Sequence, residues 1–249
     1  AAMTLARRGH HAVLFEKQDK LGGILYEAGS LPFKNDLLKF AEDLIHETEK
    51  SGAEIRLNTV CDVETVKEEK PDVVIVATGS SYIRPEIDGI DNDHVFMAKE
   101  VDDGSRKTGR RVVVCGGGLT GIETAIQLGR EGKDVTVVDV LPVSDFIKNK
   151  FYIIRNSILA EAEKAGVKMV GGSRVLKFDK EGVHIDCFGE KKVLPADSIV
   201  IAFGTKSENR LYDEIYPLMP LRIYKIGDSD RVANIMNAVQ SGYDVAYDL

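Results

Sequence analysis

The chain has 249 residues, 43% hydrophobic and 29% charged, with 33 Lys+Arg against 40 Asp+Glu and a net charge of −7. That composition can fill one large core or two ordinary ones. No basic cluster appears beyond short pairs such as Arg7-Arg8 and Arg110-Arg111, so nucleic acid is not an expected partner. The chain holds no apolar run of ~18 residues to span a membrane and no visible secretory signal. A cytoplasmic protein with no membrane partner is therefore expected.

The opening residues, Ala1 through Gly9, read as the second half of a helix ending at a glycine C-cap. A strand follows at His11 to Phe15 and ends in the pair Glu16-Lys17. Leu21-Gly22-Gly23 reads as a turn. Apolar residues Leu37, Leu38, Phe40, Ala41, Leu44 and Ile45 then recur at helical spacing between Asn35 and Ser51. A strand is expected at Glu54 to Leu57. Another is expected in the apolar run Pro71 to Val76, which ends in Ala77-Thr78-Gly79. Continuous apolar character suits a strand buried on both faces. A polar linker containing Pro85, Gly89 and Gly104 leads to the most informative segment of the chain.

That segment runs from Arg111 to Glu123: a buried strand, a glycine turn and the start of a helix. Gly116, Gly118 and Gly121 fill the fixed positions of G-x-G-x-x-G. They allow a tight turn, close approach of the backbone to a pyrophosphate, and close packing of helix on strand. The helix N-terminus offers N–H groups and partial positive charge to phosphates. The next strand, Asp134 to Val138, ends in Asp139, about 20 residues past the glycines, where a dinucleotide fold places its ribose ligand. A carboxylate there accepts from a free ribose 2′-OH and repels a 2′-phosphate. No cation follows before Lys148, so NAD(H) is favoured over NADP(H). A strand-end Asp can also serve merely as a cap.

Beyond Asp139 the pattern predicts a helix at Tyr152 to Ala165 and a strand at Val167 to Val170. A β-meander follows (Arg174 to Phe178, Val183 to Cys187, Lys192 to Leu194), then a strand at Asp197 to Ala202 running into Phe203-Gly204. A short strand at Arg222 to Ile226, the pair Gly227-Asp228 and a helix from Ala233 to Tyr247 close the chain. Cys61, Cys115 and Cys187 form no C-x-x-C, which disfavours a redox dithiol or a zinc site. Cys115 reads as a small buried thiol. The five histidines show no ligand spacing, so no metal site is expected.

Helix, glycine, strand and acid follow one another around Glu16 as they do around Asp139. The N-terminus thus reads as the back half of a second dinucleotide-binding βαβ unit. Its first strand and glycine loop are expected upstream of Ala1, and the chain reads as a fragment. These landmarks in this order resemble the two-dinucleotide-domain flavoproteins of the pyridine nucleotide-disulfide reductase type. The phrasing around Leu21-Gly22-Gly23, Lys70 to Gly79 and Ala238 to Tyr243 is most similar to the C-terminal reductase module of old-yellow-enzyme-type NADH:flavin oxidoreductases, such as 2,4-dienoyl-CoA and 2-enoate reductases. The missing C-x-x-C sets it apart from thioredoxin reductases.

The resemblance implies an α/β fold with two Rossmann-like domains and a β-meander. An NAD(H)-binding domain (105–204) would be inserted into an FAD-binding domain (1–104 and 205–249) that lacks its first strand and glycine loop. Glu16, with Lys17 beside it, would hold the adenosine ribose of FAD. Gly22 and Gly23 would pass close to the flavin or its pyrophosphate. Ala77, Thr78 and Gly79 would face the FAD crevice. Gly227 and Asp228 would meet the ribityl or pyrophosphate region, and Gly204, at the return to the FAD domain, would also bind cofactor. Gly116, Gly117, Gly118, Leu119, Thr120, Gly121 and Asp139 would bind NADH, with Glu123 towards the nicotinamide. The implied function is hydride transfer from NADH to FAD. The longer parent would carry an upstream (β/α)8 domain with FMN and a 4Fe-4S cluster, which would receive the electrons. FAD would be weakly held or absent here. No catalytic acid or base is implied, because the cofactors carry the chemistry. The rival expectation is a non-catalytic domain that binds ADP or NAD.

Overall fold

The computed structural model describes residues 1–249. They form two compact units, Ala1–Tyr82 with Thr205–Leu249, and Ile83–Gly204 between them in sequence. The first unit opens with α1 (Ala2–Arg7) and β1 (Val13–Phe15). Next come α2 (Ile24–Ala28), α3 (Asp36–Glu49) and β2 (Glu54–Arg56), with β2 parallel to β1. Asp62 caps α4 (Val63–Glu69) by accepting the Thr65 N–H at 2.8 Å, which satisfies a donor the helix start leaves open. Strands β3 (Val74–Val76) and β4 (Ser80–Tyr82) follow.

The second unit begins with β5 (Val95–Met97) and α5 (Ala98–Asp102). Its heart is β6 (Arg111–Cys115), α6 (Leu119–Arg130) and β7 (Asp134–Val138). Then come α7 (Tyr152–Lys164), β8 (Lys168–Val170), the meander β9 (Ser173–Asp179), β10 (Gly182–Cys187) and β11 (Glu190–Pro195), and β12 (Ser198–Ile201). Five parallel strands form one sheet in the order β5-β12-β6-β7-β8, with β6 at its centre. Alternation along β6 explains the layering. Val112 and Val114 pack with Ile122, Ile126, Val135 and Val200 towards the helices. Val113 and Cys115 pack with Phe178, Val183, Ile185 and Ile199 towards the meander. Both faces are covered, so these strands read as unbroken apolar runs.

The chain returns to the first unit with β13 (Thr205–Ser207), α8 (Arg210–Ile215), β14 (Ile223–Lys225) and α9 (Ile235–Asp248). Strand β13 is antiparallel to β4, and β14 is parallel to β3. A small core of Val66, Val76, Ile215 and Ile223 sits beneath. Here β1 pairs only with β2 and β3 only with β14, so the parallel strands form two separate pairs.

The segment read as a polar linker carries structure. Strand β5 pairs in parallel with β12, and Thr124 of α6 donates to Asp102 at the end of α5 at 3.0 Å. Residues 83–104 thus belong to the second compact unit. Three residues of edge strand and one turn of helix are too short for a periodic signal. None of the helices is long and apolar enough to cross a membrane.

One ion pair ties the entry of β6 to that of β12. Asp197 accepts the Arg111 backbone N–H at 2.8 Å, and its other oxygen accepts the guanidinium at 2.6 Å and 3.1 Å. The Arg111 side-chain bond, foremost, holds the Asp197 carboxyl down at about 2. A lowered folded-state value means the stabilisation is complete above the unfolded value of about 4 and fades as pH falls towards about 2. Wild type should therefore exceed Asp197→Asn in urea stability at neutral pH, and the gap should narrow below about pH 4. A gap that stayed constant to pH 3 would show that the carboxylate charge contributes nothing.

Candidate functional site

The glycine turn follows β6 directly. Gly116 has φ +128, and a Cβ there would lie 2.2 Å from the Ala202 carbonyl oxygen. A Cβ on Gly121 would lie 2.0 Å from the Gly116 carbonyl oxygen, so α6 can start over the strand end only with glycine there. Gly118 is different, since a Cβ would meet nothing within 4 Å. Gly118 is the N-cap of α6, and the first intrahelical bond runs from the Ile122 N–H to its oxygen at 3.1 Å. The N–H groups before Ile122 therefore have no helical acceptor. Gly118 and Thr120 are exposed, and Leu119 is half-buried. Glu123 sits half-buried one turn further along α6.

Asp139, at the end of β7, reaches back to this turn. Its Oδ2 accepts the Gly117 N–H at 2.6 Å, and Oδ1 accepts the Leu141 N–H at 2.8 Å. A carboxylate has about four acceptor sites, so two such bonds leave capacity for hydroxyl groups. The loop after Asp139 closes over Gly117. The Phe146 ring is fully buried where a Gly117 Cβ would lie, 2.7 Å from Cδ1. Ile147 donates its N–H to the Gly117 carbonyl at 3.1 Å and has φ +54. That backbone conformation is a real outlier for a β-branched residue and costs about 1–3 kcal/mol. Arg155, in the first turn of α7, donates to the carbonyls of Phe146 at 2.6 Å, Val143 at 3.5 Å and Ser144.

Sequence reasoning missed Phe146, Ile147 and Arg155. Left-handed geometry at an isoleucine leaves no mark in composition. An arginine at the start of a helix runs against the dipole preference, and that was the one available signal.

In the first unit, Glu16 ends β1 and accepts the Gln18 N–H at 2.8 Å, while Lys17 beside it is exposed. Gly22 and Gly23, with φ +114 and +49, lead into α2. Glu27 of α2 accepts from the Tyr82 hydroxyl on β4. Asp228 accepts from Ser80 of β4 at 3.3 Å and from the Ala233 N–H at 3.1 Å. Gly227 donates to Ser241 at 2.9 Å. Ala77 and Thr78 are exposed after β3, and Thr78 donates to the Glu208 carbonyl at 2.6 Å, with Gly79 next. Strand β4 thus links α2 to Asp228 and the β3 end, through Glu27, Tyr82 and Ser80 that were not singled out. Gly204, with φ +85, accepts the Ile83 N–H at 2.9 Å where the second unit closes.

Cys115 is buried immediately before Gly116. Burial, with the Asp139 charge adding to it, pushes its thiol well above the ordinary range, so it is no nucleophile. At the β9–β10 turn, ligand atoms of Asp179, Glu181 and His184 lie within 4.8 Å of one another. His184 Nε2 stands 2.6 Å from Asp179 Oδ2 but makes no hydrogen bond of acceptable angle. Lys177 already donates to that oxygen at 2.9 Å and holds the Asp179 carboxyl down at about 2. The cluster is an ion-paired hairpin.

Comparison with known proteins fits this geometry. Residues 1–219 match the family model described as pyridine nucleotide-disulphide oxidoreductase. The chain belongs to that family. It is 36% identical over 254 residues to a cinnamate reductase of Clostridium sporogenes, covering 99% of this chain and 37% of that protein. It is 33% identical to an NADH oxidase of Thermoanaerobacter brockii, covering 100% of this chain and 39% of that protein. Among solved structures, a 2-naphthoyl-CoA reductase superposes with a TM-score of 0.85 at 28% identity, covering 99% of this chain and 38% of that one. The chain thus spans well under half the length of these relatives.

The glycines separate fold from binding. Gly121→Ala should lower the thermal stability of the protein, because its Cβ meets backbone at 2.0 Å. Gly118→Ala should leave stability near wild type, because its Cβ meets nothing. Thermal unfolding of the two variants checks this, and equal losses would contradict it.

Proposed function

We propose that the second unit binds NADH and that the chain is the reductase module of an old-yellow-enzyme-type NADH:flavin oxidoreductase. The observation that carries the nucleotide reading is the open face of Gly118 at the start of α6, with Asp139 fixed on the same turn. The open space suits a phosphate approaching backbone donors, and the helix start adds partial positive charge. Leu119, Thr120 and Gly121 would contribute further N–H groups. Asp139 would accept from the adenosine ribose and disfavour a 2′-phosphate. Glu123 would lie towards the nicotinamide.

FAD, when bound, supplies the flavin ring that accepts hydride. In the first unit, Glu16, Gly22, Gly23, Thr78, Gly79, Gly227 and Asp228 are the residues proposed to hold it, supported by the family match. Residues 1–82 and 205–249 contain no G-x-G-x-x-G, so the phosphate donors of a glycine turn are missing from their fit to FAD. The chain's own part in the reaction is to bind and orient. The length of the relatives supports a further domain in a parent chain. We extend the proposal to a (β/α)8 domain carrying FMN and a 4Fe-4S cluster that receives the electrons. The names of the cinnamate and 2-naphthoyl-CoA reductases support an unsaturated organic acid or thioester as final acceptor.

NADH and NADPH titrations test the cofactor assignment. Wild type should bind NADH more tightly, and Asp139→Ala should lose ~1–2 kcal/mol of NADH affinity, the scale of a hydrogen bond to a charged group. Gly118→Val should abolish NADH binding with the fold kept. Equal wild-type affinities would sink the ribose assignment, and normal binding by Gly118→Val would move the phosphate off this turn. A visible absorption spectrum tests the flavin reading. The purified chain should be colourless or substoichiometric in FAD, and one tightly bound FAD per chain would show that the glycine turn is dispensable.

A further inference from the structure

The Gly117–Gly118 peptide is the critical plane of the turn. A trans peptide points its C=O and N–H in opposite directions. The Gly117 oxygen accepts the Ile147 N–H at 3.1 Å. The Gly118 N–H is therefore aimed away from the loop that carries Ile147, on the exposed side of the turn where a Cβ would meet nothing. Glycine on both sides of this peptide gives it no side-chain bias, because glycine adopts φ of either sign. Its direction must be imposed from outside.

Three contacts impose it. Asp139 holds the Gly117 N–H, the buried Phe146 ring fills the space beside its Cα, and Ile147 holds its oxygen. Ile147 can do so only in a left-handed conformation that a free loop would abandon. Something must hold the loop there, and Arg155 is placed to do it. Its guanidinium collects the carbonyls of Val143, Ser144 and Phe146, the stretch immediately before Ile147.

We infer that Arg155 is a positioning residue for the nucleotide phosphates. It touches no ligand itself. It holds the loop 143–147 so that Ile147 fixes the Gly117–Gly118 peptide with its N–H outward. This rests on the reading of the turn as an NADH site. Without the guanidinium the loop relaxes, the peptide is free to flip, and its carbonyl would meet a phosphate in place of its N–H.

The test compares wild type, Arg155→Ala and Arg155→Lys in the full chain, by titration with NADH and ADP, thermal unfolding, and amide NMR of the glycines. Arg155→Ala should weaken NADH and ADP to a similar extent, about tenfold, the scale of a lost hydrogen bond to a charged group. The Gly117 and Gly118 amide resonances should shift, and those of α9 should not. Arg155→Lys keeps a cation but not the three-carbonyl fork, so it should fall between the two and stay folded if Arg155→Ala does not. A purely structural role would lower the melting temperature and leave the affinity of the folded protein unchanged, and that result overturns the inference. Wild type binding neither NADH nor ADP would overturn the nucleotide reading along with it. Wild-type binding with unchanged affinity in both variants would overturn the inference alone.

Discussion

Everything at the centre of the second unit depends on how closely α6 approaches the end of β6. A Cβ on Gly121 would stand 2.0 Å from the Gly116 oxygen, and a Cβ on Gly116 would stand 2.2 Å from the Ala202 oxygen. Helix start, strand end and the segment after β12 therefore meet at a spot that only backbone can fill. With a methyl group at Gly121 the helix would have to lift or tilt, and its N–H groups would no longer crown the strand. The sheet order makes this spot special. Strands β12 and β7 flank β6 on opposite sides, so the chain leaves β6 where the order reverses. Open parallel sheets hold their ligands at that crevice.

The sheet beneath is built to keep that geometry. Val112 and Val114 face one apolar layer while Val113 and Cys115 face another. A strand packed on both faces cannot slip by one residue without exchanging its layers, which fixes register strongly. The rigid part ends at Asp139. Beyond it the backbone is irregular, yet it is not loose. Phe146 and Ile147 are buried, and Arg155 ties down three carbonyls. The turn is thus clasped between a rigid sheet and a loop held in an unfavourable conformation. Such strain persists only where neighbouring contacts over-determine it.

Much of this was legible in the sequence, for identifiable reasons. The unit from Arg111 to Asp139 announced itself because buried parallel strands write continuous apolar runs and the turn requires glycine at Gly116 and Gly121, where a Cβ would meet backbone. The segment from Ile83 to Gly104 did not, because Pro85, Gly89 and Gly104 drown the signal of a three-residue edge strand and a five-residue helix. Helix α4 was overlooked for a related reason. It spans only seven residues, Val63–Glu69, with Val66 as its single buried side chain. The loop clasp was unreadable because its information lies in backbone φ at Ile147 and in carbonyls gathered by Arg155, neither of which is a residue-type preference.

The two strand-end acids show how far a pattern can be pushed. Glu16 and Asp139 follow the same order of helix, glycine and strand, and both accept the N–H two residues further on, from Gln18 and Leu141, each at 2.8 Å. The local chemistry is the same, but the surroundings are not. Asp139 ends a strand paired on both sides, and its second oxygen is engaged by the glycine turn. Glu16 ends a strand with one partner, whose residues are all half-exposed. On the proposed nucleotide reading an acid at a strand end would be only half of a ribose site. The other half would be the turn across from it, which engages the carboxylate through the Gly117 N–H and would supply donors for the phosphates. In the second unit both halves lie within residues 111–141. In the first unit these residues supply the acid without the turn, so the pattern that predicts a complete site around Asp139 predicts a partial one around Glu16.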